Sequence, residues 1–459
     1  MQSQQKMGTM RMGPLIFSMA LPAMISMLIN ALYNIVDSIF VARYSASALT
    51  AVSLVFPLQQ LVIAIAVGTG VGVNSLIARC LGAKDQEKAD NAAEHGVVLS
   101  IVGGIVFILL GFLGSRPFLA GFTENAAVLE QAVSYSHIAV GLSIFVMVSI
   151  MCEKIQQSTG NMIIPMCQGL TGAIVNIILD PLLIFGIGPF PEMGIRGAAL
   201  ATIIGQVVGM LIGLWGVFVH QKVLALRMRG WKPNLRMIGA IYQVGLPGII
   251  MQSLSSVLTA GMNAILIQFS ETAVTILGVY FKLQTFIFMP VFGLNQGALP
   301  VMGYNFGARD RHRLLSAYRI TLISALAILG VGTVIFQIFP AQMIMLFTPA
   351  NDPAATADML ETGIPALRII SLSFLGAGFG IINSTVFQAI GHGLASLVVS
   401  FCRQLCIILP VAALLGYFFG LGATWYAFPF AEYIAVVISY AVLARIYQKE
   451  IKNLAPKAQ

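Results

Sequence analysis

The chain has 459 residues, of which 58% are hydrophobic and 9% are charged. An ordinary soluble domain carries roughly 25% charged residues, so a soluble fold of this length is excluded. The formal net charge of +8 is compatible with a nucleic-acid ligand, but the basic residues are scattered over short polar segments instead of being concentrated in one. We therefore expect a protein that lies in the lipid bilayer and binds no nucleic acid.

Long apolar stretches, each of about twenty residues or more, recur along the whole chain and are separated by short polar segments. The first stretch is too long for the apolar core of a cleaved signal peptide. The pattern predicts an all-α polytopic membrane protein with twelve transmembrane helices. The predicted spans are 13–41, 49–78, 92–114, 132–152, 163–187, 196–219, 239–267, 274–303, 314–339, 361–386, 394–417 and 423–446.

Positive charge is distributed unequally between the two sides of this predicted topology. Of the 25 Lys and Arg residues, 20 lie in loops or helix ends on the side of the termini and three on the opposite side. The positive-inside rule then places both termini in the cytoplasm. We also expect the protein to be a monomer and to lie in a prokaryotic cytoplasmic (inner) membrane. The five cysteines fall on the cytoplasmic side and are expected to be reduced thiols, with no metal site at Cys402 and Cys406.

An internal repeat appears when the chain is aligned with itself at a shift of 225 residues. Leu21-Pro22 falls on Leu246-Pro247, and the loop Gly82-Ala83-Lys84-Asp85 falls on Gly307-Ala308-Arg309-Asp310. Because each copy contains six spans, both copies enter the membrane in the same direction, and a pseudo-twofold axis along the membrane normal relates them. We expect two pseudo-symmetric six-helix lobes, 1–219 and 239–459, joined by a basic cytoplasmic linker at 220–238 that includes Arg229.

The repeat also places glycines at matching positions. Gly68 and Gly72 correspond to Gly293 and Gly297, and each pair has small-xxx-small spacing. Such spacing lets two helices approach closely. We expect these glycines to serve helix packing.

Two carboxylates lie within the predicted spans of the first lobe, Asp37 in the first span and Asp180 in the fifth. A charge facing lipid costs at least about 2.5 kcal/mol, so both are expected to face a cavity or a partner. Asn34 precedes Asp37 on the same helical face, and Asn176 precedes Asp180 by one turn. These two polar stripes predict a hydrated site for an ion or a substrate, the alternative being that the groups only satisfy one another between packed helices.

The second half lacks equivalents of both aspartates and instead has Lys282, Arg368 and Glu432 inside its predicted spans. Their direct role in substrate binding is one interpretation. The alternative is structural: Arg368 extends its charged group to the interface, and Lys282 forms a buried ion pair with Glu432. Both interpretations stay open at this point.

Motifs for ATP-dependent or hydrolytic chemistry are absent from the sequence. It has no G-x-x-x-x-G-K-[ST] loop, no H-E-x-x-H motif and no predicted extramembrane domain of catalytic size. We expect a protein that is not an enzyme and holds no cofactor or metal.

Taken together, several segments resemble the multidrug and toxic compound extrusion (MATE) transporters. They are the Leu-Pro of each repeat, Tyr33-Asn34-Ile35-Val36-Asp37, the two Gly-Ala-basic-Asp loops, Asn176 to Pro181, and Arg196-Gly197-Ala198-Ala199-Leu200-Ala201-Thr202. The resemblance implies two lobes around a V-shaped cleft. It also implies export of small-molecule organic cations or amphipathic compounds, driven by inward flow of protons or sodium.

In that family, Asp37, Asn176 and Asp180 look like the first-lobe coupling site of the branch that includes the DNA-damage-inducible and staphylococcal drug-export members. Tyr135 and Thr202 are further candidates by the same resemblance. Two other classes of transporter remain as alternatives. One is a lipid-linked precursor or oligosaccharide flippase of the same superfamily, and the other is a major facilitator drug antiporter, whose longer G-x-x-x-D-R-x-G-R-R loop is missing.

Overall fold

A computed structural model describes residues 2–228, 231–348 and 353–454, so the predicted linker residue Arg229 lies outside the described part. The described residues form helices and loops, with no β-strand among them. The membrane helices are α1 (Met12–Tyr44), α2 (Ala46–Gly82), α3 (Gln86–Leu109), α4 (Ala126–Ala139 and Ile144–Ser158), α5 (Ile163–Ile184), α6 (Ile195–Trp215), α7 (Leu235–Leu266), α8 (Glu271–Gly307), α9 (Arg311–Ile338), α10 (Pro353–Ser371 and Phe374–Ala389), α11 (Gly393–Phe401 and Leu409–Phe419) and α12 (Ala427–Ile446).

Shorter elements complete the fold. Turns of π-helix extend or interrupt four of the spans, and four short helices lie at the chain start or between spans. They are the π turns Leu110–Gly114, Gly216–His220, Cys402–Ile408 and Tyr447–Ile451, and the helices Gln2–Thr9, Ser115–Ala120, Pro340–Met345 and Leu421–Thr424.

The number of spans agrees with the prediction. In the described part of the chain, ten helices are long and apolar enough to cross a membrane, and two bent pairs bring the number to twelve. The bent spans are α4, which changes direction by 42°, and α10, which changes direction by 44°. They occupy the same place in the two halves, so the all-α twelve-span fold class is confirmed and the internal repeat extends to the shape of individual helices.

The repeated Gly-Ala-basic-Asp loops also share one conformation. Lys84 and Arg309 both have left-handed φ values, 61° and 60°, which few non-glycine residues adopt. Asp85 accepts a hydrogen bond from the backbone N–H of Lys88 at 3.2 Å, and Asp310 accepts one from Arg313 at 2.9 Å. Each aspartate therefore caps the helix that follows, α3 in one half and α9 in the other.

Hydrophobic packing divides the described residues into clusters that largely follow the two halves, with exceptions at the starts of α1 and α7. Two clusters gather the spans α2 to α6 together with the start of α7, and the largest gathers the rest of α7 and the spans α8 to α12. The first half of α1 contributes Leu15, Ile16 and Met19 to this largest cluster, all fully buried. The helix that carries Asp37 therefore packs with the other lobe at its start and with its own lobe farther along.

The two lobes meet near the membrane face on which α1 begins, which we call the terminus-bearing face; the opposite one is the far face. Ser75 Oγ donates to the carbonyl of Gln388 at 2.5 Å, and Arg313 Nη2 donates to the carbonyl of Met7 at 2.9 Å. These contacts join the ends of α2 and α10, and the start of α9 with the short helix before α1. The structure therefore has the lobes closed at the terminus-bearing face.

The repeated glycines lie at this junction. A Cβ atom on Gly72 would lie 2.3 Å from the carbonyl oxygen of Ile241 on α7, and one on Gly297 would lie 2.7 Å from Ala20 Cα on α1. The expected packing role is confirmed. The helices that approach one another belong to different lobes, which the repeat alone did not indicate.

The connection between the lobes is non-helical in its described residues, 221–228 and 231–234. Helix α7 begins at Leu235 because Asn234 caps it, accepting hydrogen bonds from the backbone N–H groups of Arg236 at 3.0 Å and Met237 at 3.3 Å. The helix therefore starts four residues before the predicted boundary of the second lobe at 239.

Candidate functional site

The two intramembrane aspartates lie together in the first lobe. The side chains of Asp37 on α1 and Asp180 on α5 lie close enough together to interact directly. Asp180 is fully buried, whereas Asp37 is half-buried and its Oδ1 has no hydrogen-bond partner in the described part of the chain. Two carboxylates in such proximity repel each other when both are ionised, and binding of a proton or a cation relieves this repulsion.

Asn176 connects this pair to α6. In the amide orientation that satisfies its neighbours, Nδ2 of Asn176 donates to Oδ2 of Asp180 at 3.2 Å, and Oδ1 accepts from the backbone N–H of Thr202 at 3.1 Å. The Thr202 hydroxyl lies 3.2 Å from the Asn176 amide and 3.1 Å from the carbonyl of Ala198. Asn176 is buried, so its orientation is set by α6 and in turn positions Asp180.

Two tyrosines complete the surroundings of the carboxyl pair. Tyr33 on α1 and the buried Tyr135 on α4 both interact electrostatically with Asp37 and Asp180. Gln59 Nε2 on α2 donates to the Tyr135 hydroxyl at 3.4 Å. Five helices of the first lobe, α1, α2, α4, α5 and α6, therefore contribute to the site.

Asn34 takes no part in this hydrogen-bond network. Its side chain is exposed and donates to the carbonyl of Asn30, one turn earlier on α1, at 2.7 Å. The sequence pattern correctly placed Asn34 on the same helical face as Asp37. Two residues on one face need not share a hydrogen bond. Its predicted role, like those of the other candidates, stays a prediction.

Among the described residues, no Lys, Arg or His lies within 4.0 Å of either carboxylate. The same part of the chain holds no group of three His, Cys, Asp or Glu side chains able to bind a metal ion. What the site offers is a cluster of carboxyl, amide and hydroxyl oxygen atoms within the first lobe. Oxygen atoms grouped in this way can bind a proton or a hard cation.

Comparison with known proteins decides the family. The MatE family profile matches residues 22–182 and 247–414, one match in each lobe. The chain belongs to the MatE family. This membership favours the resemblance drawn from the sequence over the major facilitator alternative.

Individual relatives of this MatE chain match over nearly their full length. It is 26% identical to the FAD transporter of Shewanella oneidensis over 440 residues, covering 95% of each chain. It is 26% identical to the multidrug export protein MepA of Staphylococcus haemolyticus over 432 residues, covering 93% of each. A solved structure described as the outward-facing conformation of a multidrug resistance MATE family transporter of the MOP superfamily matches with a TM-score of 0.91, 26% identity and coverage of 98% and 99%.

The second lobe of the MatE chain corrects one expectation. Glu432 on α12 does not pair with Lys282; it accepts hydrogen bonds from Arg403 Nη1 at 3.1 and 3.3 Å. Lys282 is exposed and lies over the ring of Phe347, 5.7 Å from its centroid. The predicted ion pair is wrong because Arg403, in the π turn of α11, lies next to α12. Arg368 donates to the carbonyl of Gln337 at 3.2 Å.

Sequence reasoning also missed a polar network between the lobes. Lys154 on α4 is almost fully buried, and its ammonium donates to Oε1 of Glu153 at 3.0 Å, of Gln157 at 3.1 Å and of Gln296 at 2.8 Å. Gln157 Nε2 donates in turn to Glu153 at 2.7 Å and Gln296 at 3.0 Å. The signal in the sequence was weak, since a Glu-Lys dipeptide at a helix end is also typical of a solvated interface.

Proposed function

We propose that the protein is a secondary active exporter of cationic or amphipathic small molecules, driven by inward flow of protons or sodium through the Asp37 and Asp180 pair. The observation that carries this proposal is that pair: two carboxyl groups in direct proximity inside the first lobe, with no basic partner among the described residues. Charged groups within a membrane are costly to maintain, and they mark ion pathways.

The two aspartates have different surroundings, which supports different roles. Asp180 is fully buried and held by Asn176, so it acts as the fixed acceptor. Asp37 is only half-buried and is the more accessible of the two, so it is the group at which a proton or cation enters and leaves. Occupation from the far face neutralises the pair and favours release of a cationic cargo, and loss of the ion at the other face restores the negative charge that attracts the next cargo.

Differential affinity then drives the cycle, because a ligand shifts a two-state equilibrium only by the difference in its binding free energy for the two states. Tyr135 and Thr202 act as positioning residues, the first beside Asp37 and the second through Asn176. Because 20 of 25 basic residues lie towards the terminus-bearing face, we assign that face to the cytoplasm and the protein to the cytoplasmic membrane.

A second candidate cargo comes from the Shewanella oneidensis relative, which is named as an FAD transporter and matches over 95% of each chain. FAD is an anion with a large planar ring, so a site that recognises it needs positive charge. In the second lobe Lys282 is exposed and has no carboxylate within 4.0 Å among the described residues, whereas Arg403 is already paired with Glu432 and the first-lobe site is acidic. A cargo panel that contains both organic cations and FAD separates the two candidates.

The decisive experiment uses proteoliposomes loaded with a fluorescent organic cation, with a proton or a sodium gradient imposed separately. We expect one gradient to accelerate efflux in the unsubstituted protein and Asp37→Asn and Asp180→Asn each to abolish that acceleration. Glu124→Gln, which removes an exposed carboxylate on a loop, is the matched control and is expected to retain it. Gradient-driven efflux at the unsubstituted rate in both aspartate variants would contradict the proposal. Absence of any cation transport would favour the flippase alternative.

A further inference from the structure

A basic recess lies at the terminus-bearing face, away from the aspartate site. Its volume is about 810 Å³, within the roughly 300–1,000 Å³ of small-molecule sites. It is formed where the linker passes between α3 of the first lobe and the start of α7 of the second. Its walls are lined by Asn91, Glu94, Arg227, Trp231, Lys232, Pro233, Asn234, Leu235 and Arg236.

The charge of this recess is positive. Three of its side chains are basic and exposed, Arg227, Lys232 and Arg236, and in the described part of the chain none of them has a carboxylate within 4.0 Å. The single acid is Glu94, which accepts a hydrogen bond from the backbone N–H of Arg227 at 2.6 Å. Three unpaired cations around one opening attract an anion.

A hydrogen-bond donor is available beside these cations. The indole Nε1–H of Trp231 is buried and has no partner among the described residues, although buried indole donors are usually paired. The indole ring is held against His95, with 5.1 Å between ring centroids. His95 is itself fixed, since Nε2 accepts from the backbone N–H of Asn234 at 3.0 Å. The donor is therefore part of a rigid wall.

The recess also presents apolar surface. Leu235 lines it and is 82% exposed, directly beside Arg236 in the sequence. Exposed apolar residues next to a cationic pocket suit a ligand that has both an anionic group and a hydrocarbon tail. Tryptophan and basic residues are typical of the level of lipid headgroups.

We propose that this recess binds the phosphate headgroup of an anionic phospholipid, with Arg227, Lys232 and Arg236 around the phosphate and Leu235 against the acyl chain. Because the recess is built from α3 and α7, a bound lipid bridges the two lobes and stabilises the arrangement in which they meet at this face. The proposal is independent of the transported cargo and of the coupling ion. It assigns the linker a second role besides joining the lobes.

The test measures lipid binding to the purified full chain in detergent by native mass spectrometry. We expect phosphatidylglycerol to be retained and phosphatidylcholine to be lost. Arg227→Gln, Lys232→Gln and Arg236→Gln together should weaken retention of phosphatidylglycerol on the order of a hundredfold, since each basic residue near an anionic lipid contributes about fivefold. The matched control is Lys222→Gln, Lys449→Gln and Lys452→Gln, which removes three exposed charges of the same face outside the recess and should change retention by less than about twofold.

Two further comparisons keep the proposal falsifiable even if the triple variant fails to fold. Leu235→Gln should weaken the retention of phosphatidylglycerol but leave any binding of inorganic phosphate unchanged. Thermal stability of the unsubstituted protein should rise with phosphatidylglycerol and stay constant with inorganic phosphate. Equal retention of both lipids by the unsubstituted protein, equal losses in the two triple variants, or stabilisation by inorganic phosphate alone would each overturn the lipid assignment.

Discussion

The ammonium group of Lys154 on α4 donates a 2.8 Å hydrogen bond to the side-chain oxygen of Gln296 on α8 and so joins the two lobes. Gln157 donates to the same oxygen at 3.0 Å. Both donors belong to the first lobe, and the acceptor belongs to the second. The contact joins the lobes where they meet at the terminus-bearing face, so its free energy favours this arrangement over one in which the lobes part there.

Removal of this acceptor should shift the balance between the two states. Gln296→Ala removes two hydrogen bonds, one of them from a charged donor worth about 1.5–3 kcal/mol, so we expect the opposite arrangement to gain tenfold to a hundredfold in relative population. The measurement is the distance between spin labels at Ser47 and Glu271, at the far-face starts of α2 and α8, in a background without native cysteines. Gln268→Ala, which removes a bond only to its own helix, is the matched control. An unchanged distance distribution in Gln296→Ala would contradict the role of this contact in favouring the closed arrangement.

Asn176 positions Asp180, and its truncation should impair coupled export. Asn176→Ala removes a hydrogen bond to a carboxyl oxygen at 3.2 Å, which corresponds to a loss of roughly tenfold to a hundredfold in gradient-driven efflux. Asn34→Ala is the matched comparison, since that amide bonds only to the carbonyl of Asn30, and we expect a loss of less than about threefold. Equal losses in the two variants would show that both asparagines act on transport in the same way.

The Arg403 and Glu432 pair should behave as one unit in stability. Glu432→Gln leaves a guanidinium unpaired within the second lobe, and breaking a buried pair in this way costs about 3–5 kcal/mol. The double variant Arg403→Met and Glu432→Gln should recover most of that loss in thermal unfolding, because no unpaired charge remains. Lys282→Met is expected to leave the melting temperature nearly unchanged, since Lys282 is exposed and touches a ring, not an acid. Additive effects of the two pair substitutions would contradict the prediction.

Gly72 on α2 should not tolerate a side chain, whereas Gly239 on the neighbouring helix α7 should tolerate one. Gly72→Ala places a Cβ 2.3 Å from the carbonyl oxygen of Ile241, so α2 and α7 must separate, at a cost of about 1–3 kcal/mol. Gly239→Ala on α7 meets no atom within 4 Å and should be neutral or stabilising, because alanine favours a helix. The melting temperatures of the two purified variants check this difference. A smaller decrease in melting temperature for Gly72→Ala than for Gly239→Ala would contradict the prediction.

The sequence by itself determined the elements that depend on local pattern. A bilayer requires about twenty apolar residues per helix, so the apolar stretches of the sequence predict all twelve spans. They predict α4 and α10 as well, but not the bends in these two helices. The shift of 225 residues predicted the paired lobes, and it extends to the two caps formed by Asp85 and Asp310. The cost of a charge in lipid also singled out Asp37 and Asp180 as candidates before their contact was known.

Only the tertiary structure decided which of these side chains meet. A helical period states which face a residue occupies, but the helix opposite that face is a non-local property of the fold. The sequence therefore suggested Lys282 as a partner for Glu432, whereas the adjacency of α11 and α12 places Arg403 beside it. Lys154 near a helix end resembled a solvated charge, yet the closure of the lobes buries it against Gln296. Contacts between the lobes could not be predicted from the sequence, because the periodicity of each helix indicates its buried face but not the helix of the other lobe that packs against it.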